Sequence, residues 1–181
     1  MAPIQSLIYK NDRAFFYMLN RRMHCGFLTN ILQCVTQLGS TTFVVVFSSI
    51  FYYYFPEQGK VLVLNLVASQ ALIHLLKRVI NRPRPYVSIG WVIAIHPPKC
   101  TYSLPSGHSS SALTMALVLS SFFPEIMPLL MFGAFLVGLS RIYMGCHYPS
   151  DVLAGFMIAL SVFLTLNEVL PFISFPFWTS L

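Results

Sequence analysis

With 181 residues, 56% of them hydrophobic and only 9% charged, the chain is too poor in charge to cover a water-facing surface, where about a quarter is usual. Its mean hydropathy of +0.71 makes a membrane the natural solvent and excludes an ordinary soluble domain. The formal charge of +6 is scattered rather than blocked, which sets nucleic acid aside and leaves a positive-inside bias or an anionic substrate.

Residues 1–23 mix Phe15, Phe16, Met18 and Leu19 with Lys10, Arg13, Arg21 and Arg22, the pattern of an amphipathic helix at headgroup level. Met1 to Asn20 lacks the uncharged core of a cleavable signal peptide. Two short apolar segments follow, 26–38 and 42–55, separated by Gly-Ser-Thr-Thr and ending in an aromatic cluster from Tyr52 to Phe55. Pro56 to Lys60 reads as a turn, 61–80 as a third span, and 81–105 as a Pro-rich loop. Spans four to six fall at 106–123, 126–143 and 149–170, before an aromatic interfacial tail, 171–181. The expectation is an all-α, six-transmembrane-helix bundle over 24–170 with an N-terminal amphipathic interfacial helix, forming one membrane-embedded domain over 1–181.

Six spans put both termini on one side and the loops after spans one, three and five on the other. The terminal side then carries Lys10, Arg13, Arg21, Arg22 and Lys60, against Lys77, Arg78, Arg82, Arg84, Lys99 and Arg141. Setting Lys77, Arg84 and Arg141 aside for chemistry tips the count toward cytoplasmic termini and an extracytoplasmic site in a multi-pass cell-membrane protein.

Three polar clusters fall on that predicted face: Lys77 to Pro85, Pro105 to His108, and Ser140 to Asp151. Charged groups near membrane spans are costly, so their convergence points to function. Lys77 and Arg84 alone could be snorkelling anchors, but Gln70, His74 and Lys77 at i, i+4 and i+7 make a polar stripe that faces protein or water. His74 reads as a hydrogen-bonded interior histidine. Ser106 reads as an N-cap whose following N–H groups form an anion site at a helix start. Gly107 would let a bulky anion approach the backbone. A serine-nucleophile turn is not supported, because Gly107-His108-Ser109-Ser110 leads to Ser111 rather than to the required glycine. Ser109 to Ser111 suit close helix packing.

His147 and Asp151 are four apart, so one helical turn could bring the carboxylate to the imidazole and leave the other ring nitrogen free to attack. A structural His–Asp pair is the plainer alternative. His108, His147 and Asp151 as metal ligands suit the charge poorly, with one carboxylate among three cations that fit a phosphate better. The four cysteines, Cys25, Cys34, Cys100 and Cys146, have no metal-ligand spacing and read as small hydrophobes. Cys100 and Cys146 flank two of the clusters, and a disulfide between them is a further expectation for an oxidising compartment.

Lys77, six residues, then Arg84-Pro85; Pro105-Ser106-Gly107-His108; and Ser140-Arg141, five residues, His147, three residues, Asp151. In order and spacing this resembles the three-part signature of the type 2 phosphatidic acid phosphatase superfamily of membrane lipid phosphatases. The resemblance implies that His147 attacks phosphorus with Asp151 orienting it. It makes His108 the general acid, and Lys77, Arg84, Ser106, Gly107 and Arg141 the phosphate holders, with no metal and no cofactor. It implies a lipid phosphate or pyrophosphate as substrate, undecaprenyl pyrophosphate foremost, with phosphatidylglycerophosphate or phosphatidic acid as alternatives. Two rivals remain: a non-catalytic membrane protein with an anion site, which would need neither histidine, and the vanadate-dependent haloperoxidases, which share the motifs but are soluble and larger.

Overall fold

The computed structural model describes residues 3–169, with side chains from Lys10 onward; the predicted tail lies outside the described residues. The regular elements described are all helical. Helix α1, Pro3–Tyr17, runs into a π-helical turn, Met18–Arg22. Then come α2, Gly26–Gln37, α3, Thr41–Tyr54, α4, Pro56–Ile80, and the short α5, Pro85–Ser88. Helices α6, Gly107–Phe122, α7, Met127–Tyr143, and α8, Pro149–Val169, complete the bundle.

Helix α6 is central, with α4, α7 and α8 packed around it. Its sequence suits that place: Ser109, Ser110, Ser111, Ala112, Thr114 and Ala116 are small and buried. Small side chains let helices approach closely in a solvent where apolar burial drives association only weakly. Of the glycines that pack on α6 or its cap, Gly155 on α8 comes closest: a Cβ there would stand 2.5 Å from the Ser106 carbonyl oxygen. Toward the other end, packing turns apolar, with Val44, Phe51, Val61, Leu62, Met115, Val118, Leu119 and Phe163 in one core. The Phe51 ring packs on Phe47, Phe55 and Phe123 there.

The predicted elements need three corrections. Pro56 to Lys60 is the first turn of α4, not a separate turn. Proline at the first helical position lacks only an N–H that would be unpaired anyway, and Glu57 pairs with Lys60 at 2.8 Å.

Second, α2 and α3 do not reverse at Gly-Ser-Thr-Thr but follow one another with a bend of 46°. At the bend Gly39 presses on α6, so that a Cβ would meet the His108 carbonyl oxygen at 2.6 Å. Ser40 caps α3 by accepting from the Phe43 N–H at 3.3 Å. Among the described residues three stretches, Pro56–Ile80, Pro124–Tyr143 and Pro149–Val169, are long and apolar enough to cross a membrane, and the bent pair taken as one makes four. Helix α6, with 16 residues, falls short of the roughly 20 of a full span. Its serines face neighbouring helices, which lowers its hydropathy without exposing polar groups to lipid.

Third, α1 packs at the end where α4 finishes and α6 and α8 begin. Phe16 is fully buried against Trp91 and Tyr148. Asn20, in the π-helical turn, donates to the Ile93 and Tyr143 carbonyls at 2.8 and 2.7 Å and accepts from the Ile93 N–H at 3.0 Å. Lys10, Arg13, Arg21 and Arg22 therefore share the end of the predicted site, and of the eleven Lys and Arg side chains only Lys60 stands at the opposite end. The charge count that favoured an extracytoplasmic site assumed the reverse and loses its basis.

Candidate active site

The end of α4, the loop after it, the start of α6 and the α7–α8 connection converge. Asn81 ends α4 in the left-handed region, φ 50°, a common helix stop. The loop then folds back on itself, with Arg84 N–H on the Thr101 carbonyl at 3.2 Å and Ser103 N–H on that of Arg82 at 2.8 Å. The Ser106 N–H donates to the Asp151 main-chain oxygen at 2.9 Å, which locks the starts of α6 and α8 together.

His147 and Asp151 are both buried, with the imidazole Nδ1 3.6 Å from Asp151 Oδ2. That separation is too long for a hydrogen bond, and Nδ1 is buried with no hydrogen-bond partner. The carboxylate is held in place by the Tyr148 N–H, which donates to Oδ2 at 2.8 Å. On the other side of the ring, Nε2 lies 3.1 Å from Arg84 Nη1. A guanidinium can only donate, so the consistent tautomer carries its proton on Nδ1 and a lone pair on Nε2. Burial, then the charges of Arg84, Arg141 and Lys77, push the His147 imidazole well below its ordinary pKa, so the ring is neutral.

Arg84 does more than face that ring. Its Nε donates to the Cys100 carbonyl at 2.6 Å and its Nη1 to the Cys146 carbonyl at 2.9 Å. One side chain thus joins the loop to the α7–α8 connection. The expected disulfide between those two cysteines is not what joins them: all four cysteines are free, with Cys100 exposed and Cys146 buried beside Leu32, Tyr143 and Met144. Arg141 is buried as well; its Nη1 donates to Thr36 Oγ1 at 2.9 Å, while its Nε has no hydrogen-bond partner. A buried donor of that kind is costly unless something accepts from it, and an anion would. Lys77, half-buried in the last turn of α4, lies within electrostatic range of Arg84, Asp151 and Arg141.

At the start of α6, the N–H groups of Gly107 and His108 precede the first intrahelical bond, from Ser110 N–H to the Ser106 carbonyl at 3.1 Å. They supply the free donors of a helix N-terminus. Ser106 caps the helix, as expected, accepting from Ser109 N–H at 3.4 Å with its Oγ also 2.8 Å from Ser109 Oγ. Its hydroxyl is therefore engaged within the turn. Half-buried His108 lies within electrostatic range of Arg141, His147, Lys77 and Arg84. From α4, Gln70 donates to the Gly107 carbonyl at 3.3 Å and to Ser111 Oγ at 2.9 Å. His74, expected inside, is instead exposed on the wall of a crevice between α3 and α4.

All eight predicted site residues come to this one end of the bundle. Two neighbours escaped the sequence reading. Arg82, counted there among the topogenic charges, donates from Nη1 to Asp151 Oδ1 at 2.8 Å and from Nη2 to Asp12 Oδ2 at 2.7 Å. Asp12 is the only acidic residue before Glu57, and that lone acid on a basic helix was the available signal.

Known proteins resemble this chain in sequence and in fold. A family model described as the PAP2 superfamily matches residues 58–173. Phosphatidylglycerophosphatase B of Bacillus subtilis is 30% identical over 152 residues, covering 75% of this chain and 72% of its own. Undecaprenyl-diphosphatase BcrC of the same organism is 29% identical over 143 residues, covering 77% and 73%. The crystal structure of Aquifex aeolicus LpxE superposes with a TM-score of 0.78 at 28% identity, covering 86% of this chain and 93% of that one.

Proposed function

The chain belongs to the PAP2 superfamily, and from that premise we propose that it is a membrane phosphatase that acts on a lipid phosphate or pyrophosphate through a phosphohistidine on His147. The observation that carries the reading is the two-sided setting of that ring, with Nδ1 toward Asp151 and Nε2 toward Arg84. The nucleophilic nitrogen points to where three cations would hold a phosphate.

In this mechanism a phosphate binds between Lys77, Arg84, Arg141 and the N–H groups of Gly107 and His108, displacing Nε2 from Arg84 Nη1. His147 Nε2 forms a bond to phosphorus as the P–O bond to the leaving group breaks, and His108 gives its proton to the departing oxygen. The substrate's own negative charge lets His108 carry that proton among three cations. Asp151 stabilises the imidazolium character that develops on His147. Water then attacks phosphorus, passing a proton to His108, and phosphate leaves as His147 recovers its lone pair. Ser106 supports the cup by capping α6. The donor set fits an anion rather than a divalent cation, because the cations themselves neutralise the developing charge. EDTA is expected to leave the rate intact; strong inhibition reversed by a divalent ion would overturn this part.

A crevice of about 400 Å³ between α3 and α4 supports a substrate with its tail in lipid. It is lined by Val44, Val45, Val63 and Val67 and reaches Gln70, the partner of Gly107. Among such substrates we place undecaprenyl pyrophosphate first, a reading supported by the likeness to undecaprenyl-diphosphatase BcrC of Bacillus subtilis. Phosphatidylglycerophosphate is the second reading, favoured by the Bacillus phosphatidylglycerophosphatase B likeness. Phosphate release from purified protein across undecaprenyl pyrophosphate, phosphatidylglycerophosphate and phosphatidic acid chooses between them, and activity on none would overturn the enzymatic reading.

In the bilayer, the bent α2–α3 pair, α4, α6, α7 and α8 form the crossing layer, while α1 lies at the surface on the site face with Phe15, Tyr17 and Met18 exposed toward lipid. The exposed thiol of Cys100 reads the sidedness in a variant with Cys25 and Cys34 replaced by serine. Labelling by an impermeant maleimide in intact cells places the site outside, and labelling only after permeabilisation places it in the cytoplasm.

A further inference from the structure

Asp151 has two carboxylate oxygens, and the mechanism uses one. Oδ2 faces His147 Nδ1 and accepts from the Tyr148 N–H, while Oδ1 accepts from Arg82 Nη1 at 2.8 Å. Arg82 is itself engaged at both terminal nitrogens. Its Nη1 also donates to Ser150 Oγ at 2.6 Å, its Nη2 donates to Asp12 Oδ2 at 2.7 Å, and its guanidinium lies 4.2 Å from the centre of the Tyr148 ring. With both terminal nitrogens on carboxylates, Arg82 is not one of the cations left for phosphate.

Asp12 closes the chain of contacts. It is buried, and besides Arg82 it accepts from the Ser150 N–H at 2.9 Å and from Ser150 Oγ at 2.6 Å. A lone buried carboxylate is strongly unfavourable, yet here two of them share one arginine. An arginine that bridges two carboxylates fixes the plane of each, because its N–H groups sit in a rigid fork. Ordering of this kind matters most for Asp151, whose separation from His147 is already beyond hydrogen-bond length.

We propose that Arg82 and Asp12 are positioning residues for the hydrolysis: Arg82 sets the Asp151 carboxylate so that Oδ2 faces His147 Nδ1, and Asp12, delivered by α1, sets Arg82. This rests on the reading of His147 as the nucleophile. It makes the N-terminal helix part of the catalytic apparatus, although α1 carries no group that touches the phosphate.

The test is steady-state kinetics of lipid-phosphate hydrolysis in detergent micelles across pH, with thermal unfolding measured on each variant. Arg82→Gln should lower kcat about 10- to 100-fold, the usual effect of losing an orienting partner, with KM within about twofold because no substrate contact is lost. Arg82→Lys should recover part of the loss. Removing this cation should also move the acid limb of kcat/KM to higher pH, since the His147–Asp151 pair then takes up a proton more readily. The other charged groups facing the pair, Lys77 on α4, Arg84 in the loop, His108 on α6 and Arg141 on α7, stay in place. Asp12→Asn should cost less than Arg82→Gln and add nothing to it in the double variant. Arg78→Gln, at an exposed cation on α4, should behave as wild type.

Wild-type kcat in Arg82→Gln would overturn the proposal. So would a loss that is uniform across pH and matched by a lower unfolding midpoint, the signature of a purely structural role. If Arg82→Gln does not fold, Asp12→Asn and Arg82→Lys decide the question by the same criteria. His147→Ala separates the two claims: activity in that variant sinks the nucleophile reading, whereas an inactive His147→Ala beside a fully active Arg82→Gln sinks the positioning role alone.

Discussion

At the site end of the bundle the buried side chains include Asp12, Arg84, Arg141, His147 and Asp151; at the opposite end they are Phe51, Val61, Leu62 and Phe163. The first group is held by directional bonds, such as the Arg84 fork on two carbonyls. The second is held by area and shape, as in the run of rings from Phe47 through Phe51 to Phe55. Buried charges are costly unless paired, so the site end holds them where they are paired or where an anion would pair them. Apolar packing tolerates small shifts, whereas a guanidinium on two carbonyls does not. Substitutions at the site end should therefore appear in rates, and those at the far end in stability.

The largest effect expected from this contrast is at His147. His147→Ala should remove turnover, by about 10⁴-fold or more as for other catalytic histidines, with an unfolding midpoint close to wild type; a large fall in the midpoint would erase the contrast. Arg84→Lys should lower kcat/KM by about 10²-fold, because an ammonium cannot reproduce the fork that holds Cys100 and Cys146. Phe51→Ala reverses the pattern. It should cost about 3–5 kcal/mol of stability while the folded fraction keeps its kcat and KM, as activity and denaturation measured on one sample would show. Ser106→Ala sits between the two, with about 1 kcal/mol lost from the α6 cap and a small decrease in rate.

The pH profile gives the smallest expected change. A histidine nucleophile must be unprotonated, and burial with three neighbouring cations depresses the pKa of His147. The acid limb of kcat/KM should then lie below the ordinary histidine range near about 6.5, while the alkaline limb follows loss of the His108 proton. An acid limb centred there would show that His147 does not sit among the cations in the working enzyme.

The convergence of Lys77, Arg84, His108, Arg141, His147 and Asp151 at one end was legible because each motif lies within one short segment whose geometry is local. Ser106 ahead of Gly107 marks a helix start, and the four-residue spacing of His147 and Asp151 brings them to one turn. Arg82 and Asp12 were not legible as partners, since 70 positions separate them and nothing local joins a loop arginine to an acid on α1. The topology failed at equally specific points. Gly39 to Thr42 suits a reversal or a bend, and only the contact of Gly39 with the His108 carbonyl selects the bend. Pro56-Glu57 suits a turn or a helix start, and the length of α4 selects the second. The helical class itself followed from hydropathy, but the position of α1 depended on Phe16, Asn20 and Asp12 finding partners far along the chain.

The central claim is covalent chemistry at His147, and one measurement addresses it directly. Purified protein is mixed with a ³²P-labelled lipid phosphate, quenched in alkali, where a phosphohistidine survives, and digested for peptide mapping. The label is expected on the peptide containing His147, and to be absent in His147→Ala. Turnover without any trapped label, or label on another residue, would contradict the account.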